Sequence, residues 1–585
     1  MTKSARLRWG LLIAVTGVSA MVVWSVFNPT PHSGGDNSGY VALAHGLVTT
    51  GTYTDVFDPE GLPHTKYPPV FPALLGLLMA LGARTWAGLK LAAALPTVLV
   101  VAFTYLWAER RLGAVGAFCV ALLLAFSSGV VYYSQWILSD PLFLALTVGA
   151  LWAFERADSG PVREIVELAG TEPASDAATA PATRGDDERR YVGWFALGLG
   201  LAGLAYFTRS AGLPLIVALL ATLVLKKRWV RLGIALVALG LPMVAWMLRG
   251  QGEGVAQYGT EFWMVDPYQP AAGTIGFFGL IPRILENLSA YVVRYGPAGV
   301  VGSDGPALGF IGVGLTVAAI VGWVVSVRRE IGIAEIFLPL YAGLILVWPA
   351  VWGGDRFALP LYPLLFLYGV VALRALRPRL PKVVANTLAV AALLVLLLPA
   401  IGNWLDASRD VSACAALAGS RGPWACYGAR VENFAVAAAW ASQNLPEGSA
   451  VLTRKPRHFY TLSGHPSRAF PFVEDAQAHL DLADRLGARY VLLDRWDGLA
   501  GRYVGGAVRQ RPSAFCYMGG FGEPAQGGAQ LLGILPPGQR EGAGAPAEGG
   551  VGIAPCPESY YARSADQPEN YSSSGRIPLL EDLDS

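Results

Sequence analysis

Two acidic and three basic side chains carry the clearest chemical signal in this sequence, because each lies at the expected outer end of an apolar segment. They are Asp36, Lys66, Asp140, Arg209 and Arg356. Ionisable groups at membrane depth are costly unless they pair, so cations and carboxylates at one level indicate a polar cavity. Three cations suit a lipid phosphate better than a neutral sugar. A carboxylate beside them can accept a proton from a hydroxyl as the phosphate departs.

Each of these residues also has a purely structural interpretation. Asp36 and Asp140 each precede a helical pattern, which suits an N-cap, and capping is compatible with catalysis. Lys66 can extend its amine to the lipid head groups. Arg209 and Arg356 suit a structural pairing with a helix-end carbonyl or with Asp355. The sequence leaves these alternatives open.

The composition is that of a membrane protein. Of 585 residues, 54% are hydrophobic and 15% are charged, whereas ordinary soluble domains carry about 25% charged residues. The 44 basic residues nearly balance the 42 acidic ones, for a net charge of +2. We therefore expect a lipid bilayer as a partner and no nucleic acid, since the chain offers no general cationic field.

Eleven apolar stretches predict a polytopic α-helical membrane domain over residues 1–402. They lie at about 8–27, 88–108, 113–131, 141–155, 191–206, 211–225, 230–248, 306–326, 333–352, 357–373 and 383–402. A cytoplasmic N-terminus places the polar insert 156–190 and the basic clusters inside, as the positive-inside rule requires. The apolar stretch 68–81 is short and rich in proline, which predicts an interfacial helix on the outer face. We expect a multi-pass protein of the inner (plasma) membrane.

This orientation leaves three longer segments outside, in the periplasm or extracellular space: the loops 28–87 and 249–305, and the tail 403–585. The tail alternates helical patterns with short apolar runs, which predicts a small soluble α/β domain. Its Gly- and Pro-rich part, residues 519–560, predicts long loops, and the acidic end 576–585 predicts a flexible terminus.

Cysteine positions agree with this orientation. Cys119 falls inside a span, whereas Cys414, Cys426, Cys516 and Cys556 fall in the outer domain. An even number of cysteines in an oxidising compartment favours two disulfides. Proximity favours Cys414 with Cys426 and Cys516 with Cys556, while the other pairings and four free thiols stay open.

Three histidines in the first outer loop raise the question of a metal. His32, His45 and His64 fit no compact ligand spacing, such as two histidines one helical turn apart. The sequence therefore favours a structural or substrate-contact role for them. We expect no cofactor, and the pattern does not support a divalent metal.

Short motifs around the charged residues resemble the GT-C glycosyltransferases, in particular the branch of the protein O-mannosyltransferases (glycosyltransferase family 39) and the lipid A aminoarabinose transferase. The motifs are Gly35-Asp36 with Tyr40, Lys66-Tyr67-Pro68-Pro69, Ser139-Asp140-Pro141, Arg209 with Gly212, and Arg356-Phe357 with Pro360. The tail segments 453–457 and 490–495 are also similar to the tails of many bacterial members.

The resemblance implies a GT-C fold and an inverting transferase that takes one sugar from a polyprenyl phosphate at the outer face. The acceptor would be a hydroxyl on a lipid, glycan or protein. By that match Asp36 is the general base and Asp140 is the second catalytic carboxylate. The donor phosphate would be held by Lys66, Arg209 and Arg356. Weaker candidates for substrate contact are Tyr40, Tyr67 and His64.

One residue departs from the family pattern, and one other function stays open. Asn37 follows Asp36 where several relatives carry a second acidic residue. This departure weakens the argument for a mannosyl donor and the argument for a metal site. The rival function is a transporter or flippase that moves a lipid-linked sugar unchanged. Such transporters show internal symmetry and discontinuous helices at midplane, and the sequence shows neither.

Overall fold

A computed structural model describes residues 3–158, 184–249, 257–302, 308–540, 553–562 and 577–584. The helices up to residue 421 are α1 Lys3–Ser25, α2 Gly35–Thr49, α3 Val70–Ala80, α4 Trp86–Phe126, α5 Ser128–Tyr133, α6 Asp140–Ala157, α7 Arg184–Thr208, α8 Leu213–Leu225, α9 Trp229–Arg249, α10 Gln257–Trp263, α11 Leu280–Ala290, α12 Gly296–Val301, α13 Gly309–Arg329, α14 Ile333–Val347, α15 Asp355–Ala358, α16 Tyr362–Leu376 and α17 Lys382–Arg421. Each predicted apolar stretch falls largely on one of these helices. Most of the polar insert 156–190 lies outside the described residues.

Six helical segments in the described part of the chain are long and apolar enough to cross a membrane. They are Ser4–Ser25, Trp86–Phe126, Trp229–Arg249, Gly309–Arg329, Asp355–Arg379 and Lys382–Arg421. Shorter apolar helices cover Val70–Ala80, Val192–Thr208, Ser210–Leu225 and Ile333–Val347. The chain is thus a polytopic helical membrane protein, as predicted, while the count of eleven spans stays a prediction.

Two helices are much longer than a bilayer is thick. At 1.5 Å per residue, 40 residues extend about 60 Å, twice the hydrocarbon thickness. The 41 residues of α4 are interrupted at Gly113, whose φ of 67° and ψ of 172° are not helical, so α4 consists of two helices across a kink. The 40 residues of α17 run without interruption from Lys382 to Arg421, where the tail domain begins.

The tail forms an α/β domain around a small mixed sheet. Its helices are α18 Ala429–Asn444, α19 Pro456–Ser463, α20 Ala476–Leu486 and α21 Leu499–Gln510, and its strands are β1 Val451–Leu452, β2 Ser467–Arg468, β3 Tyr490–Leu493, β4 Phe515–Phe521 and β5 Ala529–Ile534. The strand order is β2-β1-β3-β5-β4. β1 pairs in parallel with β2 and β3, whereas β5 pairs antiparallel with β3 and β4.

Two parts of the tail differ from the sequence-based expectation. The segment expected to be long loops contains all of β5 and the end of β4, because buried side chains such as Leu531 and Leu532 pack into the sheet. At the acidic end, Pro578–Asp584 form a 3₁₀ helix, and Ile577 and Leu580 are fully buried. The Ile577 amide also donates to the Arg84 carbonyl at 3.1 Å.

Disulfides join Cys414 to Cys426 and Cys516 to Cys556, the pairs that proximity favours. The first ties the end of α17 to the entry of the tail domain. The second ties β4 to the segment 553–562.

A single apolar core joins the first outer loop to the tail domain. Tyr40 and Phe71, from α2 and α3, share this core with Phe434, Phe459 and Leu531 from the tail. Because burying shared apolar surface fixes the two parts against each other, residues of the tail are placed beside the start of α2.

Candidate functional site

Asp36 lies in the first turn of α2, where the unpaired amide groups of a helix N-terminus favour a negative charge. Its Oδ2 accepts a hydrogen bond from Arg356 Nη1 at 2.8 Å, and its Oδ1 accepts one from the Tyr67 hydroxyl at 2.6 Å. The Asp36 side chain is still 32% exposed. A carboxylate with four lone-pair sites therefore keeps room for a further hydrogen bond from a substrate.

The pKa of Asp36 reflects two opposing influences. Burial by itself would raise the pKa, but the positive charge of Arg356, the hydrogen bond from Tyr67 and the charge of Arg457 outweigh it. The pKa of Asp36 is held well below its ordinary value. Asp36 is consequently ionised, as a proton acceptor must be.

Asp140, in the first turn of α6, is much less accessible. Its side chain is 5% exposed, and both of its oxygens face guanidinium groups. Arg209 Nη1 donates to Oδ1 at 2.6 Å, and Arg356 Nε donates to Oδ2 at 2.8 Å. Asp140 therefore anchors the two arginines, and Arg356 bridges it to Asp36.

The alternative partner of Arg356, Asp355, makes a different contact. Its Oδ1 accepts a hydrogen bond from the Tyr133 hydroxyl at 3.0 Å. The Arg356 guanidinium is thus directed at Asp36 and Asp140. Pairing of this kind offsets the cost of a charge beside an apolar helix.

Tyr40 and Tyr67 pack against each other beside Asp36. The Tyr40 hydroxyl lies 2.8 Å from Ser139 Oγ, which links α2 to the start of α6. The Tyr40 ring contacts the Tyr67 ring at a centroid distance of 4.7 Å. Burial raises the pKa of Tyr40 to about 12, so its hydroxyl stays protonated. Tyr40 is only 2% exposed. Of the two tyrosines, Tyr67 is the one that donates a hydrogen bond to Asp36.

His64 supports Tyr67 from behind. Its Nε2 accepts a hydrogen bond from the Tyr67 amide at 2.8 Å, and its Nδ1 lies 2.5 Å from Asp55 Oδ1. The ring is buried, and burial lowers the pKa of His64. Because both ring nitrogens already have partners, this geometry suits a structural role rather than the expected substrate contact.

Lys66 directly precedes Tyr67, the residue that donates to Asp36. Its Nζ is 3.5 Å from Glu261 Oε2 and 5.5 Å from the centroid of the Trp352 ring. Glu261, from α10 in the second outer loop, is a site neighbour that the sequence analysis did not single out.

Arg457 is the second residue that sequence reasoning missed. It follows Pro456 at the start of α19 in the tail, and its Nη1 lies 2.5 Å from the Tyr67 hydroxyl and 3.9 Å from Asp36 Oδ1. The available signal was the basic segment 453–457, which follows a short apolar run and was noted only as a family-like pattern.

Asn37 explains the departure at the second acidic position. Its side-chain amide donates to the Gly34 carbonyl at 3.0 Å, and its Oδ1 accepts from the Ile137 amide at 2.7 Å. An aspartate could not make the first of these bonds, so Asn37 holds the start of α2 against the segment before α6. Within the described ranges, no three His, Cys, Asp or Glu side chains cluster closely enough to hold a metal ion.

Comparisons with known proteins agree on one fold. Residues 66–160 match the family model described as dolichyl-phosphate-mannose-protein mannosyltransferase. ArnT from Cupriavidus metallidurans, in a crystal structure bound to undecaprenyl phosphate, is similar with a TM-score of 0.53 and 14% identity over 89% of this chain and 98% of that one. A search of curated protein sequences gives no match.

A second solved structure shows the same likeness. The archaeal oligosaccharyltransferase AglB from Archaeoglobus fulgidus, in complex with an inhibitory peptide and a dolichol-phosphate, matches with a TM-score of 0.52 and 14% identity. The match covers 89% of this chain and 74% of that one. The chain therefore has the fold of the GT-C glycosyltransferases, and the predicted resemblance is confirmed.

Proposed function

We propose that this protein transfers a single sugar from a polyprenyl-phosphate donor to a hydroxyl group of a lipid, glycan or protein at the outer face of the membrane, with inversion at the anomeric carbon. The observation that carries the proposal is the state of Asp36. It is an ionised and partly exposed carboxylate that accepts hydrogen bonds from Arg356 and Tyr67. It has the charge and the access that a general base needs.

The proposed reaction makes use of that geometry. Asp36 accepts the proton of the acceptor hydroxyl as its oxygen attacks the anomeric carbon. The new carbon–oxygen bond forms on one face while the bond to the phosphate oxygen breaks on the other, and the lipid phosphate leaves with the bonding electrons. Arg356 and Tyr67 keep Asp36 in place, so the base is oriented before the substrate arrives.

Lys66 is the cation that we assign to the lipid phosphate. Its partly exposed ammonium faces Glu261 at 3.5 Å, and a phosphate entering the site would compete with that carboxylate for the same charge. Arg209 and Arg356 add positive potential, which stabilises the negative charge that develops on the leaving phosphate. Asp140 acts here as the anchor that keeps both guanidinium groups in place.

The similar solved structures support the class of donor. One holds undecaprenyl phosphate and the other a dolichol-phosphate, and both lipids are polyprenyl phosphates. The two disulfides of the tail support an outer location for that domain, since disulfides persist in oxidising compartments. The proposed site is then on the periplasmic or extracellular side of the plasma membrane.

Mass spectrometry of envelope lipids, glycans and proteins tests this function. A deletion strain should lack one glycosyl unit that its parent carries, and a plasmid with the wild-type chain should restore it. Identical envelopes would contradict the proposal.

The same experiment separates transfer from transport. If the chain only moved a lipid-linked sugar, the Asp36→Asn variant would restore the missing unit as well as the wild type does. Restoration by the wild type and not by Asp36→Asn supports an enzyme.

A further inference from the structure

We propose that Arg457 is a positioning residue for Asp36. Through hydrogen bonds from Arg457 to Tyr67 and from Tyr67 to Asp36, the tail domain completes the reaction centre. This inference rests on the function proposed above, in which Asp36 is the base. It gives the tail domain a definite role in the reaction.

Hydrogen-bond direction is the first argument. A guanidinium group can only donate, so Arg457 must donate to the Tyr67 oxygen across the 2.5 Å between them. The one proton of that hydroxyl is then left for Asp36 Oδ1, 2.6 Å away. Arg457 therefore fixes the hydroxyl of Tyr67 as a donor to the base and prevents it from turning.

The guanidinium of Arg457 is itself held firmly. It lies over the Phe57 ring at 5.3 Å and over the Tyr67 ring at 5.0 Å from the ring centroids. Gly39 of α2 permits the approach, since a Cβ at that position would come within 2.8 Å of Arg457 Cδ. The side chain has little freedom to leave the site.

The tail domain is fixed against the first outer loop by contacts beyond Arg457. Arg468 of β2 donates from Nε to Asp58 Oδ2 at 2.6 Å and from Nη2 to Glu60 Oε2 at 2.7 Å. The Ser467 amide also donates to the Phe57 carbonyl at 2.6 Å. These contacts hold β2, the strand that follows α19, against the first outer loop, and none of them involves Asp36. Docking and positioning can therefore be separated by mutation.

Electrostatics point the same way. Burial would lower the pKa of Arg457, but its contacts with Tyr67 and Asp36 raise it above the ordinary value. In turn, the charge of Arg457 is one of the influences that lower the pKa of Asp36. The two groups stabilise each other's charged forms.

The test adds purified full-length variants to detergent-treated membranes of the deletion strain, which hold unused donor and acceptor. Arg457→Ala should slow appearance of the missing glycosyl unit by about tenfold to hundredfold, the usual cost of a misplaced catalytic group. Its affinity for undecaprenyl phosphate should stay unchanged. Methylguanidinium chloride should restore part of the rate, and Arg457→Lys should retain part of it.

Arg468→Ala is the matched control, because it removes a docking arginine of the same domain. Methylguanidinium should not alter its rate. A wild-type rate for Arg457→Ala beside an inactive Asp36→Asn variant would overturn the role of Arg457 and leave the proposed function standing. An active Asp36→Asn variant would instead refute the proposed function.

A second measurement covers the case in which Arg457→Ala does not fold. Tyr67→Phe should lower the rate, and the double variant Tyr67→Phe with Arg457→Lys should be no slower than Tyr67→Phe alone. Losses in a shared chain of contacts do not add. Fully additive losses would show that Arg457 does not act through Tyr67, and would also overturn the inference.

Discussion

Arg356 is the residue on which the charge balance of the site depends. It donates to Asp36 and to Asp140 at the same time, at 2.8 Å in each case. Asp140 is almost fully buried, and a buried carboxylate that loses a partner costs about 3–5 kcal/mol of stability. The arginine thus stabilises the structure and favours the ionised form of Asp36.

The Arg356→Met variant should change the pH dependence of transfer. Burial raises the pKa of Asp36 and the charge of Arg356 lowers it, so the pKa rises when that cation is removed. A protonated base cannot accept a proton, and the rate should therefore fall on the acid side at a higher pH than in the wild type. Initial rates measured between about pH 4 and pH 8 check this. An unchanged acid limb would contradict the role of Arg356.

The sequence could predict those site residues that lie beside apolar helices. Asp36, Asp140, Arg209 and Arg356 stand out because a charge at membrane depth needs a partner, and the structure brings all four together. Arg457 did not stand out. It comes from the tail domain, in which arginine is common, and only the three-dimensional packing shows which arginine reaches Tyr67.

At the scale of elements, Gly113 determines how α4 is built. Its φ of 67° and ψ of 172° lie in a region open almost only to glycine. This one residue turns an apolar stretch of 41 residues into two helices. The sequence showed two runs, 88–108 and 113–131, because the charged residues between them interrupt the apolar pattern.

Gly113→Ala should therefore destabilise the protein by about 1–3 kcal/mol. The measurement is the apparent melting temperature of the purified protein in detergent. Gly240→Ala is the control: Gly240 lies inside the helix α9, with nothing near the position of a Cβ, so alanine there should be neutral or slightly stabilising. Equal melting temperatures for the two variants would argue against a strained kink.

Sequence patterns predict some of the strands of the tail domain and not others. β1 and β3 coincide with the short apolar runs 449–453 and 489–494 of the sequence, whose pattern predicts strands. In contrast, β4 and β5 lie within or beside the Gly- and Pro-rich segment 519–560. Glycines 519 and 520 are part of β4, next to a register shift between Tyr517 and Gly519. An interrupted strand of this kind depends on its partner β5 rather than on its own composition.

At the scale of the whole molecule, the tail packs directly against the proposed site. The first outer loop and the tail share one core, and charged side chains of both parts meet at Arg457 and Arg468. The domain division at about residue 402 describes the order along the chain. In space, the proposed active site lies where the two parts join.

Membrane orientation is a prediction at the same scale. Ser442 is exposed on α18 of the tail, and Ser175 lies in the polar insert expected inside. In intact cells, an impermeant maleimide should label a Ser442→Cys variant and should not label a Ser175→Cys variant. Permeabilised cells should label both, which is the control. The reverse pattern would place the site on the cytoplasmic face.

The most direct test of the account is the rate of transfer by the purified Asp36→Asn variant, measured beside its affinity for undecaprenyl phosphate. Asparagine keeps the size of the side chain but cannot take the proton. The account predicts that transfer falls by about 10²–10⁴-fold while lipid binding and folding stay close to wild type. Transfer at the wild-type rate by a folded Asp36→Asn protein would show that Asp36 is not the base.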